Sequence, residues 1–236
     1  MQLTPSEINR KLYEKLYGII TPNKQEMFDR IAKERTRHLT VVIENVFQEH
    51  NASAVVRSCD CFGLQDLHVI EKDNKYKIQR DIALGAGRWV DIHNYKDTET
   101  ATVECIRELK KKGYKIVATT PHTEDQTIYD LDVSQPLAFV FGTERRGISD
   151  EVILEADELV RIPMYGFTES FNISVSVAII LNTIRQRLEE SDLNWKLSEE
   201  EQIALKIEWC RRILNGGDFI CERFIEEIVN EYASDY

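Results

Sequence analysis

Two polar side chains, Asn51 and Arg57, stand close together in the segment HNASAVVRSCDCFG, residues 50–63. The segment follows an apolar run and reads as the start of a helix, which Asn51 could cap with its side-chain oxygen. Arg57 lies about one and a half helical turns further on and off the apolar stripe. A guanidinium in such a place can grip a phosphate with two parallel hydrogen bonds. A capped helix with a surface arginine in a salt bridge explains the same residues.

A second polar group follows the apolar run Leu137–Phe141, which reads as a buried strand. Gly142 ends this run and permits close approach of the backbone to a ligand. Glu144 would then stand at the carboxyl end of the strand, and Gly147 would allow a tight return of the chain. This pattern favours a ligand-binding loop, but a turn bounded by two glycines gives the same sequence.

The most informative stretch is the third, residues 161–182, RIPMYGFTESFNISVSVAIILN. A short apolar run leads into a polar loop, and the loop leads into an almost uninterrupted apolar helix. Ser170, Asn172, Ser174 and Ser176 stand at the turn between them. Helix N-termini offer unpaired N–H groups, and Ser and Asn are their natural caps. The turn therefore suits ligand binding by backbone and hydroxyl groups, although a well-capped core helix is the plainer interpretation.

Several familiar sites are missing from the sequence. It contains no G-x-G-x-x-G fingerprint between a first strand and its helix, no Walker loop, no H-E-x-x-H and no G-x-S-x-G. The five histidines are scattered, and the five cysteines form neither a C-x-x-C pair nor a zinc-like set with histidine. We therefore expect no metal site. The odd number of cysteines, the polar start and the lack of a membrane-length apolar run predict free thiols and a cytoplasmic protein without a membrane partner.

The elements that must position these side chains alternate between apolar strands and amphipathic helices over residues 39–190. This alternation predicts an α/β fold with a mostly parallel sheet covered by helices on both faces. In such sheets, ligands bind at the carboxyl ends of the strands. The predicted strands are 39–46, 67–70, 114–119, 137–141 and 159–164, and the predicted helices are 53–62, 98–112, 150–156 and a long one from 172. Residues 1–38 and 191–236 read as helical extensions of this domain.

Charge is unevenly distributed along the 236-residue chain, whose net charge is −11. Residues 1–39 hold eight Lys and Arg against five acidic residues, whereas residues 190–236 hold five against twelve. Such an acidic balance disfavours indiscriminate adhesion to nucleic acid. The asymmetry suggests that the two ends have different roles, and two solvated faces are the default alternative.

Taken in order, the three segments resemble the three motifs of the SpoU family of RNA ribose 2′-O-methyltransferases, within the SPOUT superfamily. The matches are N-x-x-A-x-x-R with a closing F-G at 51–63, G-x-E-x-x-G-I-S at 142–149, and I-P-M-x-G-x-x-x-S-x-N-x-S-V-S-x-A at 162–178. The similarity spans about residues 39–190. The layout, with short helical extensions at both ends, is similar to the TrmH branch, whose members modify a guanosine in the D-loop of tRNA.

This resemblance implies a deep trefoil knot at the C-terminal side of the domain, a homodimer, and S-adenosylmethionine bound in the knot. It implies ribose 2′-O-methylation of RNA, with a guanosine of tRNA as the expected target. By motif position, the family's functional residues fall on Asn51, Arg57, Glu144, Ser170 and Asn172. Cofactor contacts fall on Thr119, Gly142, Ile162 and Phe171, where phenylalanine replaces the usual leucine. Arg57 is the expected central residue, either as general base or as a clamp on the neighbouring phosphate.

We expect the N-terminal extension, residues 1–38, to dock RNA through its basic stretch, residues 30–38. Its contacts with phosphates would give a salt-dependent affinity, which charge reversal at Arg35 and Arg37 should weaken. Three other functions stay open: a 23S ribosomal RNA 2′-O-methyltransferase, a non-catalytic RNA-binding relative, and a nucleotide-binding domain of flavodoxin type. The flavodoxin alternative leaves the polar turn at 170–172 unexplained.

Overall fold

The computed structural model of the protein describes residues 3–46, 48–72, 76–77, 79–96, 100–123, 126–143 and 146–234. The chain divides into two compact units. Thr36–Trp195 forms the larger unit, and Met1–Arg35 together with Lys196–Tyr236 forms the smaller one. The two terminal segments, which the sequence pattern treats as separate extensions, thus contribute to one unit, and the unit boundaries lie a few residues from the predicted ones.

A parallel sheet forms the centre of the larger unit, as predicted. Its strands are β1 Leu39–Glu44, β2 Asp66–Ile70, β3 Asp91–Tyr95, β4 Lys115–Thr119, β5 Leu137–Phe141 and β6 Glu158–Val160. Within the described residues these six strands lie in the order β3-β2-β1-β5-β4-β6, with every pairing parallel. The central strands β1 and β5 are buried along their whole length, which accounts for their unbroken apolar sequence.

Helices cover both faces of this sheet, which confirms the predicted layers. Because side chains alternate along a strand, Val41 and Ile43 pack on one face and Val42 on the other. The helices of the larger unit are α3 Glu49–Cys61, α4 Arg80–Ala83, α5 Ala101–Lys111, α6 Asp150–Glu155 and α7 Ile173–Glu189, with a 3₁₀ turn at Ala86–Arg88. The first face is covered by α3 and α7, the second by α5 and α6.

The smaller unit contains α1 Pro5–Tyr17, α2 Pro22–Ala32, α8 Glu199–Ile213 and α9 Gly217–Ser234. A nearly buried ammonium joins three of these helices. Lys206 Nζ on α8 donates to Asp29 Oδ1 on α2 at 2.8 Å and to the Tyr13 hydroxyl on α1 at 3.0 Å. These hydrogen bonds favour one arrangement of the three helices, since another arrangement would leave the Lys206 ammonium without hydrogen-bond partners. None of the helices in the described residues is both long and apolar enough to cross a membrane.

One strand was not predicted, and two predicted boundaries were wrong. β3, with the polar sequence DIHNY, is a partly exposed strand, and the alternation of apolar and polar residues did not predict it. β6 ends at Val160 rather than at 164, because only residues 158–160 pair with β4. α3 begins at Glu49, four residues earlier than predicted, with Gln48 as its N-cap. Cys59 and Cys105 are both fully buried free thiols.

Candidate functional site

A cavity of about 510 Å³ opens at the carboxyl ends of β4, β5 and β6. Its volume lies within the range of small-molecule and cofactor sites. All four residues predicted to contact a cofactor line it: Thr119, Gly142, Ile162 and Phe171. Because parallel strands all end at one edge of the sheet, residues distant in sequence meet there.

The end of β4 is fixed by a hydrogen bond to its neighbour. The Thr119 hydroxyl donates to the Val140 carbonyl on β5 at 2.9 Å. Beyond it, Thr120, Pro121 and His122 continue the cavity wall. None of these three residues was predicted as a site residue. The signal that could have placed these residues was their position directly after an apolar strand of a parallel sheet.

Gly142 follows β5 and is in close contact with the backbone of a later residue. A Cβ atom on Gly142 would lie 2.0 Å from the Gly147 carbonyl oxygen, so no side chain fits there. Thr143 and Gly147 exchange two backbone hydrogen bonds of 2.9 Å, which close this loop. The glycine is therefore required by the close approach of Gly147, whereas the sequence suggested close approach of a ligand. Glu144 lies outside the described residues, and its role stays a prediction.

The third segment begins α7 as predicted. Asn172 is the N-cap, and its Oδ1 accepts hydrogen bonds from the Ser174 backbone N–H at 2.9 Å and the Ser174 hydroxyl at 2.7 Å. The adjacent Ser170 and Phe171 line the cavity, as does Ser176 one turn into the helix. The loop and the helix start thus form one wall of the cavity.

Asn51 and Asn172, predicted separately, are hydrogen-bonded to each other. Asn172 Nδ2 donates to Asn51 Oδ1 at 3.0 Å, and Asn51 Nδ2 donates to Gln48 Oε1 at 3.1 Å. Asn51 is 3% exposed and lies within the first turn of α3. The prediction that Asn51 caps α3 was wrong, because its side chain instead joins α3 to the start of α7.

Arg57 is exposed on α3 and does not line the cavity of its own chain. Among the residues that the structure describes, it has no hydrogen-bond or ion-pair partner. Its guanidinium is therefore available to an external anion. The structure brings Asn51 together with Asn172, and Ser170 together with the four predicted cofactor contacts, but it leaves Arg57 outside both groups.

Several charged side chains at the cavity were not predicted as site residues. Arg146 and Asp150 lie on the β5–α6 side, and Glu169 lies on the β6–α7 side. Each is exposed at the cavity. Carboxylates and a guanidinium at one mouth can hold the ammonium and carboxylate groups of a zwitterionic ligand.

Arg35 and Arg37 are not the freely exposed cations that the expected RNA contacts require. Arg35 is 1% exposed, and its guanidinium carbon lies 5.5 Å from the centre of the Trp209 ring. Arg37 is held by two carboxylates, with Nε 2.9 Å from Asp66 Oδ2 and a terminal nitrogen 3.5 Å from Asp91 Oδ2. A charge run in a sequence does not show which of its members are buried or paired.

A second polar cluster lies at the opposite end of the sheet, where β2 and β3 begin. His93 Nε2 lies 2.7 Å from Asp66 Oδ1, and the ring of His68 stacks on that of His93 at 4.6 Å. Burial lowers the pKa of His68 to about 4. Burial opposes the charge of Asp66, but the hydrogen bond from His93 and the charge of Arg37 hold its pKa below the ordinary value. The cluster does not line the cavity at the carboxyl ends of the strands, and we interpret it as a structural contact.

The chain is similar to known RNA-modifying enzymes both in sequence and in fold. The family model of the SpoU rRNA Methylase family matches residues 38–182. A tRNA (guanosine(18)-2′-O)-methyltransferase of Borreliella burgdorferi is 39% identical over 215 residues, which are 91% of this chain and 94% of that protein. The solved structure of a TrmH/SpoU tRNA modifying enzyme of A. aeolicus has a TM-score of 0.73 at 32% identity, over 82% of this chain and 98% of the other.

A ribosomal RNA enzyme matches over a shorter region. The 23S rRNA (guanosine-2′-O-)-methyltransferase RlmB of Shewanella oneidensis is 32% identical over 151 residues, which are 62% of this chain and 59% of that protein. The Borreliella match is long enough that it must include parts of both terminal segments, since it omits only 9% of this chain. The similarity to tRNA-modifying relatives therefore extends to the smaller unit.

The contact between Gly142 and Gly147 can be tested by adding a methyl group. We expect Gly142→Ala to reduce the free energy of unfolding by about 1–3 kcal/mol, because overpacking forces the backbone apart. The matched control is Gly166→Ala, where a Cβ would meet nothing within 4 Å. Urea denaturation followed by circular dichroism measures both variants. Equal stability of the two would contradict the assigned contact.

Proposed function

This chain belongs to the SpoU methylase family, and on that premise we propose that it methylates the ribose 2′-hydroxyl of a guanosine in tRNA with S-adenosylmethionine as donor. The observation that carries the proposal is the nearly full-length match to a relative named for guanosine 18 of tRNA. A ribosomal RNA substrate is the second candidate, and the shorter match to the 23S rRNA enzyme favours it less. Five free thiols agree with a cytoplasmic location, which is part of the same proposal.

The residues at the cavity fit S-adenosylmethionine. Ile148, Ile162 and Phe171 offer apolar surface for an adenine ring, and the loops after β4 and β5 offer backbone groups for its edge. Arg146 and Asp150 offer opposite charges for the amino-acid end. When bound, the cofactor supplies a methyl group on a sulfonium, which is already a good electrophile. The protein's own task is then to orient the ribose oxygen, to favour loss of its proton and to exclude water.

We assign Arg57 to the substrate. A guanidinium stays protonated in proteins under nearly all conditions, so a role as general base is disfavoured. A charged, unpaired guanidinium can instead clamp the phosphate beside the target ribose and stabilise the alkoxide that develops on the 2′-oxygen. The hydrogen bond between Asn51 and Asn172 would fix the position of α3 relative to the start of α7 for this contact. Ser170 would reach substrate or cofactor from the cavity wall, and Glu144 would orient the ribose.

A homodimer, as implied by the family, would explain why Arg57 does not line its own cavity. In this proposal α3 of one protomer presents Arg57 to the cavity of its partner. Three exposed apolar side chains beside the cavity support such an interface: Tyr165 at 96%, Phe167 at 108% and Val175 at 43% exposure. Apolar surface of this kind, gathered on one loop and helix start, is typical of a surface that another protein covers. The deep trefoil knot at the C-terminal side remains part of the proposal.

Two cationic residues of the smaller unit remain candidates for RNA phosphate contacts. Arg30 and Lys33 are exposed on and just after α2. They replace Arg35 and Arg37 in the proposed role of the N-terminal segment. Phosphate contacts of this kind position RNA without reading its sequence, so they do not select the nucleotide.

The proposed reaction is tested by incubating the protein with tRNA or ribosomal RNA and a labelled methyl donor. We expect label in tRNA alone, as 2′-O-methylguanosine located by nuclease digestion and mass spectrometry. Label in 23S rRNA alone would favour the second candidate. Binding of RNA without any transfer of label would favour a non-catalytic relative.

Arg57→Ala should reduce the turnover number on the order of 100-fold, because it removes a donor aimed at charge that develops in the transition state. Binding of S-adenosylmethionine, measured by calorimetry, should stay unchanged, since we assign Arg57 to the phosphate and ribose of the substrate and not to the cofactor. The matched control is Arg107→Ala, which removes another exposed arginine with no partner in the described part of the chain. Near-normal turnover of the Arg57 variant would exclude the assignment.

Val175→Asp should convert the protein to a monomer, because it places a charge in the proposed interface. Light scattering after gel filtration should give about 55 kDa for the wild type, twice the 27.5 kDa of one chain, and half of that for the variant. Val229→Asp is the matched control, since Val229 on α9 has a similar exposure of 47%. A wild-type mass of one chain would reject the dimer itself.

A further inference from the structure

A buried carboxylate lies at the carboxyl end of β1, and the proposed reaction assigns it no role. Glu44 is the last residue of this central strand and is 3% exposed. It does not line the cavity. A carboxylate is costly to bury unless its oxygens accept hydrogen bonds, so its partners indicate what it holds in place.

Within the part of the chain that the structure describes, all the partners of Glu44 are donors, and they come from three separate segments. Oε1 accepts from the Thr102 hydroxyl at the start of α5 at 2.8 Å and from the Ser149 hydroxyl at 2.7 Å. Oε2 accepts from the Ser149 backbone N–H at 3.0 Å. The ammonium of Lys72, just after β2, lies 3.6 Å from Oε1. Bonds to an ionised acceptor of this kind are stronger than bonds between neutral groups.

Ser149 connects this carboxylate to the cavity. It directly follows Gly147 and Ile148, which both line the cavity, and it is the N-cap of α6. The Gly147 carbonyl occupies the position that a Gly142 side chain would need, and Gly147 is paired with Thr143. A shift of Ser149 would therefore move Gly147 and Ile148, and with them one wall of the cavity.

We propose that Glu44 is a positioning residue, which acts through Ser149 to hold the Gly147–Ile148 wall in the geometry that binds the cofactor. The identity of the cofactor rests on the proposed function, whereas the effect on the wall does not. The negative charge of Glu44 is needed as well as its shape. In Glu44→Gln, an N–H₂ group would replace one acceptor oxygen and would face hydrogen-bond donors. In either orientation of that amide, the Ser149 N–H or the Lys72 ammonium meets a donor.

The test compares Glu44→Gln with Asp66→Asn. Asp66 is the matched control, since it is a buried carboxylate with two hydrogen-bonded partners at the opposite end of the sheet. Hydrogen exchange of the full-length protein without ligand should accelerate at residues 146–155 in the Glu44 variant and stay at the wild-type rate there in the Asp66 variant. The dissociation constant of S-adenosylmethionine should rise about tenfold in the Glu44 variant only, as expected for loss of one charge-assisted hydrogen bond.

If Glu44→Gln does not fold, the more conservative variant Thr102→Val tests the same contact. Thr102→Val removes one donor to Glu44 at constant shape, and it should accelerate exchange in the same residues to a smaller extent. Wild-type exchange at residues 146–155 in the folded Glu44 variant, or acceleration spread evenly over the whole chain, would overturn the proposal. Failure of the wild-type protein to bind S-adenosylmethionine would reject the proposed function alone, because the exchange measurement still decides the role of Glu44.

Discussion

The common direction of the strands is the constraint on which the site depends. Every strand pairing in the described residues is parallel, so β1, β4, β5 and β6 all end at one edge of the sheet. The segments that follow them are far apart in sequence, yet they have to share that edge. The convergence of three polar segments therefore needs no special interaction between them. It follows from a sheet whose apolar strands are covered by helices on both faces.

Convergence alone does not fix a binding geometry, and the loops at this edge are each tied to a neighbour by hydrogen bonds. Thr119 bonds to the carbonyl of Val140, Asn172 bonds to Asn51, and Ser149 bonds to Glu44. Each bond joins segments that are distant in sequence, and each occupies a polar group that would be costly to bury unpaired. Loops that are already held in place lose little conformational entropy when a ligand binds, and the binding affinity is higher as a result.

The sequence predicted features that depend on local patterns and missed features that depend on tertiary contacts. The apolar run of β5 and the Asn172 cap of α7 were read correctly, because burial on both faces and a helix N-terminus leave strong local signals. Asn51 was taken for a cap because asparagine before an apolar helix has that meaning locally, whereas its actual partner is 121 residues away. β3 was missed because a polar, partly exposed edge strand lacks the apolar pattern. The role of Glu44 had no local signal at all.

The electrostatics of the chain constrain how it could hold RNA. With a net charge of −11, long-range attraction to a polyanion cannot come from the protein as a whole. Two of the basic residues in the N-terminal stretch are occupied within the protein, Arg35 beside Trp209 and Arg37 between two carboxylates. Few phosphates can then be neutralised by the residues that remain exposed there, and affinity should fall less steeply with salt than for a uniformly basic protein. In the proposed function, recognition therefore relies on a small number of well-placed cations, and we assign the exposed guanidinium of Arg57 to this set.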